Sequence, residues 1–268
     1  MSTSDSQYEL EVRNLSKVFG SRRDRTLEVH ALKEINLRVK AGEFLTILGP
    51  SGGGKSTILN IIAQIETPTT GTIYFRGREV LRAGDVQMNP GVNCEIGYVT
   101  QEDNLLPWRT VIENIMFPIK VQNKPYDEYL ERAHELMGMV NLTGFGNHYP
   151  YELSGGMRKR AVLIRTLLYD PPVILMDEPF GPLDAQTRTQ LQEDLLRIWQ
   201  AKRKTILFVT HDVAEAIVLA DRTVVLTSQP GTVRAEYEIA IPRPRDVHDV
   251  YALPGFPEYY EKIRKELR

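Results

Sequence analysis

Apolar and polar positions follow two rhythms along the chain, and the change of rhythm divides it. Tyr8, Leu10 and Val12 alternate with polar residues, which predicts a strand with one buried face. Asn14 to Gly20 reads as a turn and Ser21 to Thr26 as a polar loop. Leu27 to Val39 alternates loosely and predicts one or two further strands. Glu43 to Leu48 is a short apolar-rich run suited to a strand buried on both faces. Gly71 to Gly77 predicts a strand ending in a turn, Arg82 to Cys94 a loop, and Ile96 to Thr100 another strand that runs into Gln101.

From about residue 102 to 168 the spacing becomes helical. Val111 to Met116 and Tyr126 to Val140 carry it, and Tyr129, Leu130, Ala133, Leu136, Met137 and Val140 fall near one face. This stretch reads as a helical insert. Strand and helix then alternate: Val173 to Met176, helix Asp184 to Lys202 with Leu191, Leu195 and Ile198 on one side, Thr205 to Thr210, helix Val213 to Leu219, and Thr223 to Thr227. Such alternation implies a parallel α/β sheet. After Pro230-Gly231 come a short strand, Ala235 to Ile241, a Pro-rich tail and a last helix at about Glu258 to Leu267.

Between the first apolar run and the next helix lies Gly49-Pro50-Ser51-Gly52-Gly53-Gly54-Lys55-Ser56-Thr57, which fits the phosphate-binding P-loop pattern G-x-x-x-x-G-K-[ST]. Glycines let the backbone turn tightly and aim its N–H groups inward, an amide nest that attracts anions. The helix that opens at Lys55 adds its N-terminal dipole. Lys55 is placed to reach the β- and γ-phosphates and the Ser56 hydroxyl to hold Mg²⁺. A second constellation is Val173 to Met176 followed by Asp177-Glu178: a buried strand ending in carboxylates, which sets charge at the carboxyl edge where ligands bind in open α/β sheets. Asp177 fits the Mg²⁺-holding acid of a Walker B strand, and Glu178 fits a residue that orients the water attacking the γ-phosphate.

Composition narrows the class. With 33 basic and 35 acidic residues in 268 and a net charge of −2, the chain is unlike a basic nucleic-acid-binding domain, and nucleic acid is not expected as a partner. No apolar run is long enough to span a bilayer, and Met1 to Gln7 lacks the charged and apolar regions of a signal peptide. Cys94 is the one cysteine, so no internal disulfide forms. These features favour a soluble cytoplasmic chain that reaches a membrane only through another subunit.

Leu153-Ser154-Gly155-Gly156-Met157 resembles the signature motif of ATP-binding-cassette (ABC) ATPases, and the resemblance covers nearly the whole chain, with the family's motifs in order. It implies a P-loop NTPase fold: a RecA-like parallel sheet core, an antiparallel β subdomain and an inserted helical subdomain. The implied division is a nucleotide-binding domain over 1–235, with the helical part at about 102–168, and a C-terminal tail over 236–268. Phe19 matches the aromatic that stacks on adenine, although it also suits a core aromatic. Gln101 matches the glutamine that touches Mg²⁺ beside the transmembrane partner, Leu183-Asp184 the D-loop, and His211 the switch histidine on the γ-phosphate. Arg158-Lys159-Arg160 reads as the solvated face of the signature helix. Met157 replaces the usual Gln, and Gly181-Pro182 stands where a small residue usually precedes the D-loop leucine. Met157, Leu105 to Val111 and the stretches Gln229 to Gly231 and Pro242 to Asp246 resemble the nitrate/sulfonate/taurine importer ATPases.

The resemblance further implies a head-to-tail dimer, with a second copy or a homologous ATPase. ATP lies on Gly49 to Thr57 of one subunit and is capped by Ser154, Gly155 and Gly156 of the other. Mg²⁺ is held by Ser56, Gln101 and Asp177, and catalysis involves Lys55, Glu178 and His211. The implied role is the ATP-hydrolysing subunit of an importer, peripheral on the cytoplasmic face of the inner membrane. Its partners are permease subunits, which the Gln101 to Trp108 region receives, and indirectly a solute-binding protein. Trp108 suits either that surface or the core. The alternative is a soluble ABC ATPase that transports nothing, for example in cofactor assembly; the P-loop and signature lie too close for the long coiled coil of repair types.

Overall fold

The structure, a computed structural model, describes residues 7–20, 28–85 and 94–267. The chain divides into two compact units, Met1–Asn93 with Arg203–Arg268, and Cys94–Lys202.

The first unit contains an antiparallel sheet in the order β2 (Glu28–Lys40), β1 (Tyr8–Gly20), β4 (Thr70–Phe75), β5 (Arg78–Arg82). The expected turn at Asn14 to Gly20 is strand instead. Its register against β2 shifts between Val12 and Leu15 and again between Leu15 and Lys17, and Asn14 takes a φ of 49°. Such bulges absorb extra residues without ending a strand. Lys17 is held in place there, with Nζ donating to Glu66 Oε1 and Thr67 O at 2.7 Å each. The short β5 escaped prediction because three of its five residues are charged and Leu81 is its one buried side chain. The loop expected at Ser21 to Thr26 lies outside the described residues, as does most of the one at Arg82 to Cys94.

The same unit carries β3 (Phe44–Leu48), parallel to both β8 (Thr205–Thr210) and β9 (Arg222–Leu226). Every residue of β3 and β8 is buried, as strands covered on both faces require. β10 (Val233–Glu238) adds an antiparallel edge to β9. A parallel partner would need a crossover of a dozen or more residues, and the link from Leu226 to Val233 is a tight turn, closed by Thr227 N–H donating to Thr232 O at 3.0 Å. The helices are α1 (Lys55–Ile62), α6 (Val213–Leu219) and α7 (Phe256–Glu266).

The second unit pairs β6 (Ile96–Val99) with β7 (Val173–Asp177) in parallel and holds α2 (Val111–Val121), α3 (Tyr126–Met139), α4 (Gly155–Leu168) and α5 (Ala185–Lys202). α2 continues past the expected end at Met116, through Pro118, because its buried stripe runs on to Ile119 and a Thr110/Glu113 capping box secures its start. The architecture is α/β of the P-loop NTPase type, with an antiparallel sheet and a helical part. No helix among the described residues is long and apolar enough to cross a membrane.

Helices α4 and α5 are joined by charge. The Asp194 side chain is wholly buried and accepts from Arg160 Nε at 3.1 Å and Arg197 Nη2 at 2.7 Å. Burial pushes its pKa up despite both arginines, so ionisation there carries a desolvation cost and the cluster adds less stability than its geometry suggests. Removing the carboxylate is still costly, since the Arg160 side chain, 15% exposed, loses its counter-ion. Asp194→Ala should lower stability in urea unfolding by about 3 kcal/mol, at the low end for a broken buried pair because Arg197 is half exposed.

Candidate functional site

Each unit presents its chemistry at the carboxyl edge of its parallel strands. In the first, Leu48 of β3 pairs with Thr210 of β8, so Gly49 and His211 leave the sheet side by side. Gly49 begins the loop to α1. At the α1 N-cap stands Gly54, with φ 79°, and no side chain caps the helix. A Cβ there would meet Leu32 Cδ2 at 2.4 Å and Ala31 O at 2.7 Å, so the position demands glycine both for its dihedral and for the close approach of β2. An uncapped helix start with no acidic residue in its first turn suits a phosphate group.

Lys55, which the motif places to reach phosphate, is only 6% exposed, with Nζ donating to Gly49 O and Pro50 O at 2.9 Å each. The ammonium spans the loop it belongs to, so it shapes the loop as well as offering charge to a phosphate. Ser56 is exposed at the helix start and Thr57 half-buried. Pro50 is half-buried, and Ser51 and Gly52 are exposed. The turn after β9 braces this region: Gly231 N–H donates to Ala31 O at 2.9 Å, and Lys33 N–H donates to Gly231 O at 3.0 Å. Phe19, 40% exposed, is not core; Lys17 Nζ lies 4.8 Å from its ring centre. His211 is exposed, and the Asp212 side chain behind it caps α6 by accepting from Ala214 N at 2.8 Å and Glu215 N at 3.1 Å.

In the second unit Val99 pairs with Met176, so Gln101 emerges beside Asp177 and Glu178. Tyr98 reports the negative charge at this edge: burial raises its pKa first, and the Asp177 carboxylate raises it further. Glu178 has φ 42°, a left-handed backbone unusual for a residue with a side chain, and such strain concentrates at functional sites. The signature follows. Ser154 caps α4, its Oγ accepting from Met157 N at 3.3 Å.

Arg158-Lys159-Arg160 is not a solvated face. Arg158 Nε donates to Asp103 Oδ2 at 2.9 Å, and Lys159, 5% exposed, pairs with Asp103 Oδ1 at 2.9 Å and donates to Gln101 O. Arg160 reaches Asp194. Two of these cations thus converge on Asp103 and the third turns to Asp194, all within the unit. Asp103 therefore ties the Gln101 segment to the signature helix.

Two roles escaped the sequence reading. A Cβ on Gly156 would stand 2.5 Å from Thr187 Cγ2, so this glycine admits the first turn of α5. Thr187 N–H in turn donates to Asp184 Oδ1 at 3.0 Å, which holds the Asp184 carboxyl below the usual range. The Asp-x-x-Thr spacing is a helix-start signal that could have singled out Thr187. Asn114, fully buried, accepts from Leu106 N at 2.7 Å and donates to the carbonyls of Leu106, Arg109 and Thr110. That clamp shapes the 105–110 loop and leaves Trp108 71% exposed, which removes the core reading of Trp108. Nothing in the structure explains Pro182.

A family model described as ABC transporter matches residues 32–181. The chain belongs to the ABC transporter family. A nitrate import ATP-binding protein of a Synechocystis species is 41% identical to it over 264 residues, 97% of this chain and 95% of that protein. A taurine import ATP-binding protein of Pelagibacter ubique is 40% identical over 253 residues, 93% and 91% of the two chains. A solved dimeric structure of an ATP-binding cassette in a post-hydrolysis state, bound to ADP and Pi, superposes with a TM-score of 0.73 and 32% identity, covering 86% of this chain and 98% of that one. This ABC protein is the ATP-hydrolysing subunit of an importer.

The packing at Gly156 makes a prediction. Gly156→Ala should lower ATP turnover at least tenfold, by the logic that small misplacements of binding groups cost about 10² in rate. Adding Thr187→Ser, which deletes the opposing methyl, should restore most of it. Absence of any rescue in steady-state ATPase assays would show that Gly156 acts by something other than this contact.

Proposed function

We propose that this ABC subunit powers uptake of a small solute of the nitrate, sulfonate or taurine kind through a separate membrane permease. The observation that carries the catalytic part is the Val99–Met176 pairing, which delivers Gln101, Asp177 and Glu178 together at one strand edge. The names of the relatives support import over a non-transporting ATPase.

In this reading residues 1–235 form the nucleotide-binding domain, with the helical part at about 102–168, and 236–268 the tail. Gly49 to Thr57 cradle the phosphates of ATP, Lys55 neutralises charge developing on the γ-phosphate, and Phe19 stacks on adenine. Ser154, Gly155 and Gly156 of a second copy cap the same nucleotide, so ATP joins two chains head to tail and hydrolysis parts them. Mg²⁺, which would be held by Ser56, Gln101 and Asp177, supplies electrostatic stabilisation of the transferring phosphoryl group. Glu178 accepts a hydrogen bond from the attacking water and aligns it, and His211 contacts the γ-phosphate. The loop bearing Trp108 offers an apolar tip to the permease, placing the chain on the cytoplasmic face of the membrane, with a solute-binding protein acting on the far side.

Glu178→Gln tests the mechanism. The change is nearly isosteric and removes the group that aligns or deprotonates water, an effect of about 10²–10⁴ in rate, or roughly 3–5 kcal/mol of barrier. The variant should bind ATP, fail to cleave it and accumulate as a dimer in gel filtration with ATP and Mg²⁺. Hydrolysis at the wild-type rate would remove Glu178 from the chemistry.

Membrane docking is tested separately. Co-expressed with its permease, the wild-type chain should be recovered with membranes, and Trp108→Asp should reduce that recovery severalfold. Its thermal stability should stay unchanged, since an exposed side chain contributes little packing. Equal recovery of the two forms would exclude Trp108 from the docking surface.

A further inference from the structure

The segment after β10 is bound to the rest of its unit by an unusual arginine. Arg245 is 6% exposed, and its guanidinium is spent entirely on backbone carbonyls. Nη1 donates to Ile217 O at 2.8 Å, Val218 O at 3.3 Å and Ala220 O at 2.6 Å. Nε and Nη2 donate to Ile239 O and Ile241 O on the tail itself, at 2.9–3.0 Å. Nearby, Arg243 Nη2 donates to Leu219 O at 2.6 Å and to Asp221 Oδ1 at 2.8 Å. The other oxygen of Asp221 accepts from Phe44 N, at the start of β3, at 3.0 Å. Together the two arginines take the carbonyls of residues 217 to 220, the groups that a helix end leaves without intrahelical partners. Burial lowers the pKa of Arg245 to about 10, still high enough to keep the guanidinium charged at neutral pH, where a cation also favours a helix C-terminus.

Apolar packing follows the same path. Ile241, Phe256 and Ile263 of the tail share one buried cluster with Ile217 and Val213 of α6 and with Leu48, the residue before Gly49. Helix α6 has seven residues, too few to be stable alone, so its position is set by its anchors. At its start these are the Asp212 cap and the hydrogen bond between Thr210 and Glu215; at its end they are Arg243 and Arg245. His211 stands immediately before that start.

We propose that Arg245 is a positioning residue for ATP hydrolysis: by fixing the end of α6 it fixes where His211 meets the γ-phosphate. The tail over 236–268 is thereby part of the catalytic apparatus rather than an appendage. The proposal rests on the γ-phosphate role given to His211 above, and it assigns no nucleotide contact to Arg245.

The test measures kcat and KM for ATP, with thermal unfolding midpoints, for Arg245→Lys, Arg245→Met, His211→Ala and the two combinations. Lysine keeps the charge but reaches fewer carbonyls, and it serves should the methionine variant fail to fold. Arg245→Lys should lower kcat about tenfold, in line with the cost of a small misplacement, while KM changes less than about twofold and the protein stays folded at the assay temperature. In the His211→Ala background, whose residual turnover is read with radiolabelled ATP, the same change should cost nothing further, because residues acting through one another are non-additive. An equal fractional loss with and without His211, or no loss at all, would overturn the positioning role while leaving His211 in place. Wild-type turnover by His211→Ala alone would overturn the role of His211 and this proposal with it.

Discussion

Parallel pairing imposes one constraint that everything else in the molecule obeys: strands that run the same way end at the same edge. Leu48 beside Thr210 and Val99 beside Met176 are ordinary ladder pairs, between buried residues of strands that are buried almost throughout. Because each strand continues directly into a functional loop, those two pairings decide where the P-loop, His211, Gln101 and the acidic pair emerge. The cost of burying such strands is met by apolar-rich sequence, which leaves the chemistry to begin at the last residue of a strand or just beyond it. The left-handed backbone at Glu178 marks how abruptly the change happens.

Behind the two edges, different forces hold the loops. In the first unit the P-loop lies between β2 and the turn at Gly231 and is spanned by its own lysine, while the tail arginines secure α6. In the second unit electrostatics are prominent. Asp103 joins the Gln101 segment to α4, Asp194 joins α4 to α5, and the missing side chain of Gly156 lets α5 close against the signature. The Gln101 segment, the signature helix and the start of α5 are thus joined by side-chain contacts outside the strands.

Much of this was legible in the residues. The P-loop, the acidic strand end and the signature are local patterns whose chemistry follows from their spacing, and the strands from Glu43, Val173 and Thr205 were marked by short apolar-rich runs. What was not legible depends on tertiary contact. Lys17 and Lys55 look like surface cations, and only the fold shows carbonyls and a carboxylate gathered around their side chains. Arg158 to Arg160 look like one basic patch, yet in the fold Arg158 and Lys159 share Asp103 while Arg160 turns to Asp194. The second glycine of the signature also borders a threonine methyl 31 positions along the chain, brought near by α5, a contact the motif itself does not announce. The turn expected at Asn14 failed because bulges let polar residues stay within a strand.

The chain has two tryptophans, and the fold puts them in opposite surroundings. Trp199 is 1% exposed in α5, whereas Trp108 stands 71% exposed on the clamped loop. Indole emission shifts to the blue in apolar surroundings and is quenched by small solutes only where they can reach the ring. The native protein thus carries two intrinsic optical reporters on one unit, one sensitive to the integrity of the interior and the other to whatever covers the loop.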